Sequence, residues 1–318
     1  MAVCDVCFRH CNISVGGTGF CGARTCVAAG RDGGRNASDL TDCGDESTPD
    51  GGERIAPANY GRVTSLALDP IEKKPLRRFC PGSIILSVGS YGCNLRCPFC
   101  QNSEISWSEE AMGFAEKAKY VSPEDLAETA AYYRADGNIG VAFTYNEPLV
   151  GYEYVRDAAK LVHEKGMKNV LVTNGTADLK VLREIAPYID AMNIDLKGFT
   201  DRYYSKVLGG DRKMVMDFIS EAVKVCHVEL TTLIVPGEND SEEEMEELSS
   251  WIAGLEPETA GLGSASAEIL TGADIPLHVT RFFPAFHMTD RDATDVGLVI
   301  RLAEVARQKL KYVYTGNI

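Results

Sequence analysis

From residue 82 to its end, the chain alternates short apolar segments, rich in β-branched residues, with longer segments of mixed polarity. The apolar segments are residues 83–88, 140–144, 169–173, 191–195, 228–235 and 277–282. Segments this short and this apolar are typical of strands that are buried on both faces of a parallel sheet. Six such strands alternating with helices predict a series of parallel βα units with right-handed crossovers.

The length of this region limits how far the sheet can close. A complete barrel of eight units takes about 250 residues, and the span 82–318 is slightly shorter. We therefore expect an α/β fold with a partial (β/α)6 TIM-type barrel, in which chemistry collects at the C-terminal ends of the strands. The chain before it divides into a Cys-rich metal-binding segment (1–26), a flexible insertion rich in Gly, Asp and Ser (27–58, with Cys43) and a connector (59–81).

Two of the expected helices carry clear start signals. Ser122 precedes Pro123 and two carboxylates, which is typical of a capped first turn. Ser241 and Glu244 have the spacing of a capping box, which predicts a helix that runs towards Leu255.

Charge and cysteine content narrow the class of protein. A net charge of −14 argues against a protein that binds duplex nucleic acid by neutralising phosphates. The N-terminus lacks the pattern of a secretory signal, and no apolar run approaches the roughly 20 residues that span a bilayer. We therefore expect a cytoplasmic protein without membrane contact. Its eleven cysteines should then stay reduced, so clustered ones are interpreted as metal ligands.

One such cluster follows the first predicted strand directly. Cys93, Cys97 and Cys100 have the spacing C-x3-C-x2-C. Three thiolates on one loop can hold three corners of an iron–sulfur cubane and leave its fourth iron open, whereas electron-transfer cubanes take four cysteines. A structural zinc ion would also need a fourth ligand, which only a distant residue could supply. Phe99 precedes the third cysteine and can shield the cluster.

The loop resembles the signature of the radical S-adenosylmethionine superfamily. The resemblance implies that the three cysteines hold a catalytic [4Fe–4S] cluster whose open iron chelates the amino and carboxylate groups of S-adenosylmethionine. One electron would then cleave this cofactor to methionine and a 5′-deoxyadenosyl radical, which abstracts hydrogen from a substrate. Because such clusters can have very low potentials, a ferredoxin or a flavodoxin is the expected electron donor.

The same resemblance assigns cofactor contacts to motifs at later strand ends. Where superfamily members carry a Gly-Gly-Glu-like turn, this chain has Tyr145-Asn146-Glu147, so Asn146 and Glu147 are expected to receive the cofactor's ammonium. Thr173 and Asn174 belong to a Thr-Asn-Gly motif like that of pyruvate formate-lyase activating enzymes. Those relatives carry Asp where this chain has Val172, which leaves a cation site built on that Asp without support.

Two further strand ends complete the expected cofactor site. By the same resemblance Asp195 and Lys197 contact the ribose and carboxylate side of S-adenosylmethionine, although the two residues could also form a plain surface ion pair. Val235, in a segment ending in Pro-Gly, is expected to pack against the adenine. His287 is a candidate for contact with cofactor or substrate, or a structural histidine.

A second cysteine cluster opens the chain. Cys4, Cys7, Cys11 and Cys21 supply four thiolates in a segment that has no core of its own, and such segments typically fold around a metal. Zinc and a second iron–sulfur cluster both accept four thiolates, with zinc slightly favoured. Cys26 and Cys80 are alternative ligands, whereas Cys226 is expected to be a packed thiol.

Nearly the whole chain outside the insertion resembles the radical SAM proteins of the AmmeMemoRadiSam system, which are similar to activating enzymes. The resemblance implies hydrogen abstraction from an unknown substrate, either a small molecule or a protein residue. One alternative is an activating enzyme that forms a glycyl radical on a partner protein. Another is a non-catalytic scaffold that uses both cysteine clusters structurally. The sequence identifies neither the substrate, the N-terminal metal nor the oligomeric state.

Overall fold

A computed structural model describes residues 1–28, 52–115, 118–258 and 271–318. Most of the predicted insertion, including Cys43, lies outside the described residues. Its two ends are described, and they pair with each other as antiparallel strands. The first five strands are β1 (Ala2–Val3), β2 (Asn12–Ile13), β3 (Arg24–Val27), β4 (Arg54–Pro57) and β5 (Arg62–Val63).

The main sheet contains eight strands in the order β14-β13-β12-β11-β10-β9-β7-β6, and a short strand β8 pairs separately with β5. The later strands are β6 (Ser65–Pro70), β7 (Ile84–Gly89), β8 (Lys119–Tyr120), β9 (Asn138–Phe143), β10 (Lys168–Thr173), β11 (Ala191–Asp195), β12 (His227–Ile234), β13 (Leu277–Arg281) and β14 (Val313–Gly316). All neighbours in the main sheet are parallel except β6 and β7. The predicted α/β class with a parallel sheet is confirmed.

The main sheet has two strands more than the six that the sequence predicted. Strand β6 lies in the predicted connector and pairs antiparallel with β7 at one edge of the sheet. Three of its residues are exposed in succession, so its composition lacks the buried pattern used to predict strands. Strand β14 has four residues and pairs with β13 at the other edge.

Eight α-helices lie in the described part of the chain, and the five that follow β9 connect successive parallel strands of the main sheet. They are α1 (Ser103–Ser106), α2 (Glu109–Ala115), α3 (Pro123–Tyr132), α4 (Tyr152–Glu164), α5 (Leu179–Ile185), α6 (Arg212–Ala222), α7 (Glu242–Ala253) and α8 (Val296–Arg307). None of these described helices has the length and hydropathy needed to cross a bilayer.

The predicted helix starts are observed, with one difference. The Ser122 hydroxyl accepts from the Asp125 amide at the start of α3, as expected. The Ser241 hydroxyl likewise accepts from the Glu244 amide at the start of α7. The predicted capping box was wrong in its second half, because the Glu244 carboxylate accepts from the amide of Phe199 instead of the cap amide. A tertiary partner has replaced the local one.

The segment between β6 and β7 fills the interior of the sheet at the N-terminal end of its strands. Ile71, Leu76 and Phe79 are buried there against strand residues such as Val170. The carboxylate of Glu229, fully buried on β12, accepts from the amides of Arg77 and Arg78 and from two histidine rings. We call residues 71–80 the plug, since they close this end of the partial barrel.

Candidate active site

A cavity of about 300 Å³ lies at the C-terminal ends of the parallel strands. Ten of the residues predicted for cluster and cofactor line it together: Cys93, Cys97, Phe99, Cys100, Asn146, Glu147, Thr173, Asn174, Asp195 and Lys197. Parallel strands bring their C-terminal ends to one edge, which explains how segments 100 residues apart in sequence meet here. The size suits a small-molecule ligand.

The three-cysteine loop forms one wall of this cavity. The Cys93 sulfur accepts from the Leu95 amide at 3.4 Å and from the Asn174 side-chain amide at 3.8 Å. Burial raises the pKa of the Cys97 thiol to about 11. Without iron the Cys97 thiol therefore carries a proton at neutral pH, which metal binding would release. Thiols with amide donors around them suit an iron–sulfur cluster, whose sulfurs accept such hydrogen bonds.

Asn146 fixes the start of this loop. Its side-chain nitrogen donates to the carbonyls of Tyr91 and Gly92, and its oxygen accepts from the Ser90 amide. The side chain is therefore largely occupied by backbone partners. Asn146 lies in the cavity wall as expected, but its observed contacts position the loop.

Glu147 joins the ends of β9 and β10. Its Oε1 accepts from the Thr173 hydroxyl at 2.7 Å and the Leu149 amide at 3.0 Å, and its Oε2 accepts from the Asn174 amide at 2.7 Å. Burial raises the pKa of Glu147 to about 7. A carboxylate offers about four acceptor positions, so one position on Oε2 is still available to a ligand.

Asp195 and Lys197 form an ion pair inside the cavity, with 2.7 Å between the Lys197 Nζ and the Asp195 Oδ2. Burial lowers the pKa of Lys197, but the charge of Asp195 outweighs burial and holds it above its usual value. The Lys197 side chain is 18% exposed. Both groups line the cavity, which favours the expected cofactor contact over a plain surface pair.

Two predicted contacts lie outside the cavity lining. Val235 is fully buried, and its amide donates to the Asn239 side chain. Thr231 and Leu233, which precede it on β12, line the cavity instead. The ring of His287 lies 3.7 Å from that of Phe286, and its amide donates to the Pro98 carbonyl. The histidine therefore contacts the cluster loop from outside.

Tyr145 also lines the cavity, whereas its motif indicated only that it replaces a glycine of the superfamily. Its φ is +74°, a left-handed conformation that costs a side-chain-bearing residue about 1–2 kcal/mol. The hydroxyl donates to Asp69 at 2.7 Å, and the buried Lys74 ammonium pairs with the same carboxylate. The glycine that superfamily members carry at this position could have predicted the positive φ, because glycine adopts that conformation readily. Asn317, Thr280 and Trp107 also line the cavity and had no sequence signal.

The four N-terminal cysteines line a separate small void beside the loop. Cys26 is buried outside that void, on β3. Cys80 belongs to the plug and packs with its apolar cluster. Neither of these two alternative ligands lines the void. Cys226 is a packed thiol as predicted, buried after α6.

The spacing of the thiols has a further consequence. Among the described residues, no three Cys, His, Asp or Glu side chains are already close enough to hold one metal ion. In the described structure, neither set of thiols is therefore arranged around a metal ion.

Comparison with known proteins defines the class. The fold is similar to that of Streptococcus suis SuiB bound to S-adenosylmethionine, with a TM-score of 0.51 and 14% identity over 73% of this chain and 51% of that one. The uncharacterized protein MJ0808 of Methanocaldococcus jannaschii is 34% identical over 99% of this chain and 81% of its own length. Pyruvate formate-lyase 1-activating enzyme of Escherichia coli is 27% identical over 50% of this chain and 65% of that enzyme.

Residues 87–249 match the family model of the Radical SAM superfamily, and the chain belongs to this superfamily. It is a radical SAM enzyme with similarity to activating enzymes, and the superfamily implies a [4Fe–4S] cluster and S-adenosylmethionine as cofactors. The predicted superfamily and type of chemistry are confirmed.

Proposed function

We propose that Cys93, Cys97 and Cys100 hold the [4Fe–4S] cluster, and that the cavity beside them binds S-adenosylmethionine for hydrogen abstraction from a second molecule. The observation that carries this proposal is that the three thiols share one cavity with Glu147, Asp195 and Lys197. When bound, the reduced cluster supplies the electron that cleaves S-adenosylmethionine to methionine and a 5′-deoxyadenosyl radical.

The chain's own residues then bind and orient the cofactor. The acceptor position left on Glu147 Oε2 suits the cofactor's ammonium. Lys197 suits its carboxylate, and Asp195 suits its ribose hydroxyls. Leu233 takes the adenine contact expected of Val235, because it is the apolar β12 residue in the cavity lining. Phe99, packed edge-on against Phe282 at 6.1 Å, shields the cluster from water.

The substrate is either a small molecule or a residue of another protein. Two relatives favour a residue of another protein as the substrate. They are the Escherichia coli activating enzyme and the putative glycyl-radical enzyme activating enzyme MJ1227 of Methanocaldococcus jannaschii, which is 26% identical over 51% of this chain. These matches cover half of this chain, so the main proposal leaves the substrate class open. A glycyl-radical partner is the second candidate.

Three further elements complete the proposal. A low-potential ferredoxin or flavodoxin supplies the electron. The N-terminal thiols bind zinc or a second iron–sulfur cluster, because four cysteines surround one void. The cytoplasm is the proposed location, since it keeps thiols reduced and all ten cysteines of the described residues are free.

The test is anaerobic purification followed by incubation with S-adenosylmethionine and a strong reductant. We expect a brown protein that forms 5′-deoxyadenosine slowly without substrate, and a Cys97→Ala variant that lacks the cluster and this activity. Cys226→Ala is the matched control, because that thiol is buried away from the cavity. Failure of the wild-type protein to form 5′-deoxyadenosine with several reductants would favour the scaffold alternative. Genomic neighbours and cell extract can then be screened for whatever accelerates the reaction.

A further inference from the structure

The N-terminal segment packs directly on the loop of the radical SAM cluster. The Cys21 carbonyl accepts from the Cys93 amide at 3.1 Å, so one ligand candidate from each cysteine set is joined by a backbone hydrogen bond. Gly92 faces the same segment with a φ of +101°, and a Cβ there would lie 2.6 Å from that of Ala23. Only glycine permits this approach without displacement.

Two arginines strengthen the same contact from opposite sides. Arg9 donates to the carbonyls of Asn94 (2.8 Å) and Gly209 (2.5 Å). Arg96 donates to the carbonyls of Phe20 (2.5 Å) and Cys93 (2.7 Å). Both guanidinium groups lie over the Phe20 ring, at 3.4 Å and 4.0 Å from its centre. Cations between two sets of thiols would stabilise both sets once they are ionised.

The void among Cys4, Cys7, Cys11 and Cys21 has room for one ion. Its free volume is about 10 Å³, which is about the space of one water molecule. Four thiolates around a single small ion are the ligand set of structural zinc. An eight-atom cubane requires more space than this void offers.

We propose that these four cysteines bind a single zinc ion, and that this ion holds the radical SAM cluster loop in its binding geometry through Cys21. Zinc fixes Cys21, whose carbonyl orients the Cys93 amide, while Arg9 and Arg96 keep the two segments together. The residues of the N-terminal segment are thus positioning residues for the cluster. This inference rests on the proposed function of the Cys93 loop.

The test measures metals and cluster lifetime in the full chain. We expect one zinc and four irons per wild-type chain. In the double variant Cys4→Ser/Cys11→Ser, which changes no residue of the interface, zinc is lost and the cluster absorbance decays at least about tenfold faster under a chelator. Cys26→Ser is the control, because that thiol is buried on the neighbouring strand outside the void. It should retain both metals at wild-type lifetime.

A second variant separates zinc loss from misfolding. Gly92→Ala leaves all four N-terminal thiols intact, so we expect it to keep zinc and lose the cluster faster. Eight irons without zinc in the wild-type chain would overturn the single-ion proposal. A wild-type cluster lifetime in either variant would overturn the positioning role. Zinc present but no iron in the wild-type chain would instead refute the proposed function, and Cys97→Ala should lose iron while keeping zinc.

Discussion

At the scale of single residues, Glu147 combines a structural and a ligand-facing role. Its carboxylate accepts from Thr173 and Asn174 at the end of β10 and from Leu149 in the turn that follows Glu147, and one acceptor position remains for a ligand. Its motif predicted a cofactor contact, and it does line the cavity. The sequence could not show two of these donors, because Thr173 and Asn174 lie at the end of another strand.

The pKa of Glu147 predicts a pH dependence of cofactor binding. Burial raises this pKa to about 7, so the carboxyl loses its proton as pH rises through neutrality. An ammonium binds the ionised form better, and affinity for S-adenosylmethionine should increase about tenfold between pH 6 and pH 8. Titration calorimetry on the cluster-loaded protein measures this increase. Glu147→Gln should bind more weakly and without the pH dependence; an unchanged profile in that variant would assign the titration to another group.

At the scale of elements, the sequence predicted the strands that are buried on both faces and not those at the sheet edges. Strand β11 was predicted to the residue, since its apolar run ends at Asp195. The edge strand β6 has only one covered side, so Leu66 and Leu68 are exposed and its pattern resembles that of a loop. The plug could not be predicted, because its anchor, Glu229, is distant in sequence and its position depends on how the sheet curves.

The anchoring of the plug can be tested with Glu229→Gln. The glutamine keeps the volume but replaces an acceptor with a donor opposite two backbone amides and two histidine rings. Breaking a buried charged network of this kind costs about 3–5 kcal/mol. Urea unfolding monitored by circular dichroism measures the loss. The exposed Glu243 on α7 supplies the control, and Glu243→Gln should change the free energy of unfolding by less than about 0.5 kcal/mol.

The same carboxylate predicts how stability varies with acidity. Burial raises the pKa of Glu229, but hydrogen bonds from His227 and His278 outweigh burial and lower it to about 2. An acid whose pKa is lowered by folding stabilises the protein above its unfolded pKa, and this stability is lost as pH falls towards the folded value. Wild-type stability should therefore fall between about pH 4.5 and pH 2 more steeply than that of Glu229→Gln. Parallel curves would remove Glu229 as the cause.

At the scale of the whole molecule, the cofactor site joins strand ends from both halves of the sheet. The cluster loop follows β7, Glu147 follows β9, and Leu233 lies on β12. The alternation of strands and helices predicted this convergence, because parallel strands share one functional edge. The packing of the N-terminal segment on the cluster loop had no sequence signal, since it depends on arginine contacts to backbone carbonyls.

Because the site spans the sheet, S-adenosylmethionine should stabilise the whole fold. A ligand at 100 times its dissociation constant adds about 2.7 kcal/mol to the free energy of unfolding. We expect the thermal midpoint of cluster-loaded protein to rise with the concentration of S-adenosylmethionine. Cys97→Ala, which lacks the iron that anchors the cofactor, should show a much smaller rise. Equal shifts in both proteins would mean that binding does not depend on the cluster.

The plug also affects the direction from which molecules enter the cavity. Pro75, from the plug, forms part of the cavity lining, so the plug covers the inner end of the cavity. In the described part of the structure, we therefore expect molecules to reach Lys197 from the edge formed by the C-terminal ends of the strands, and to leave from there. A large substrate bound at that edge would then block the exit of the cofactor bound beneath it. We therefore expect cofactor exchange to be slower while the substrate is bound.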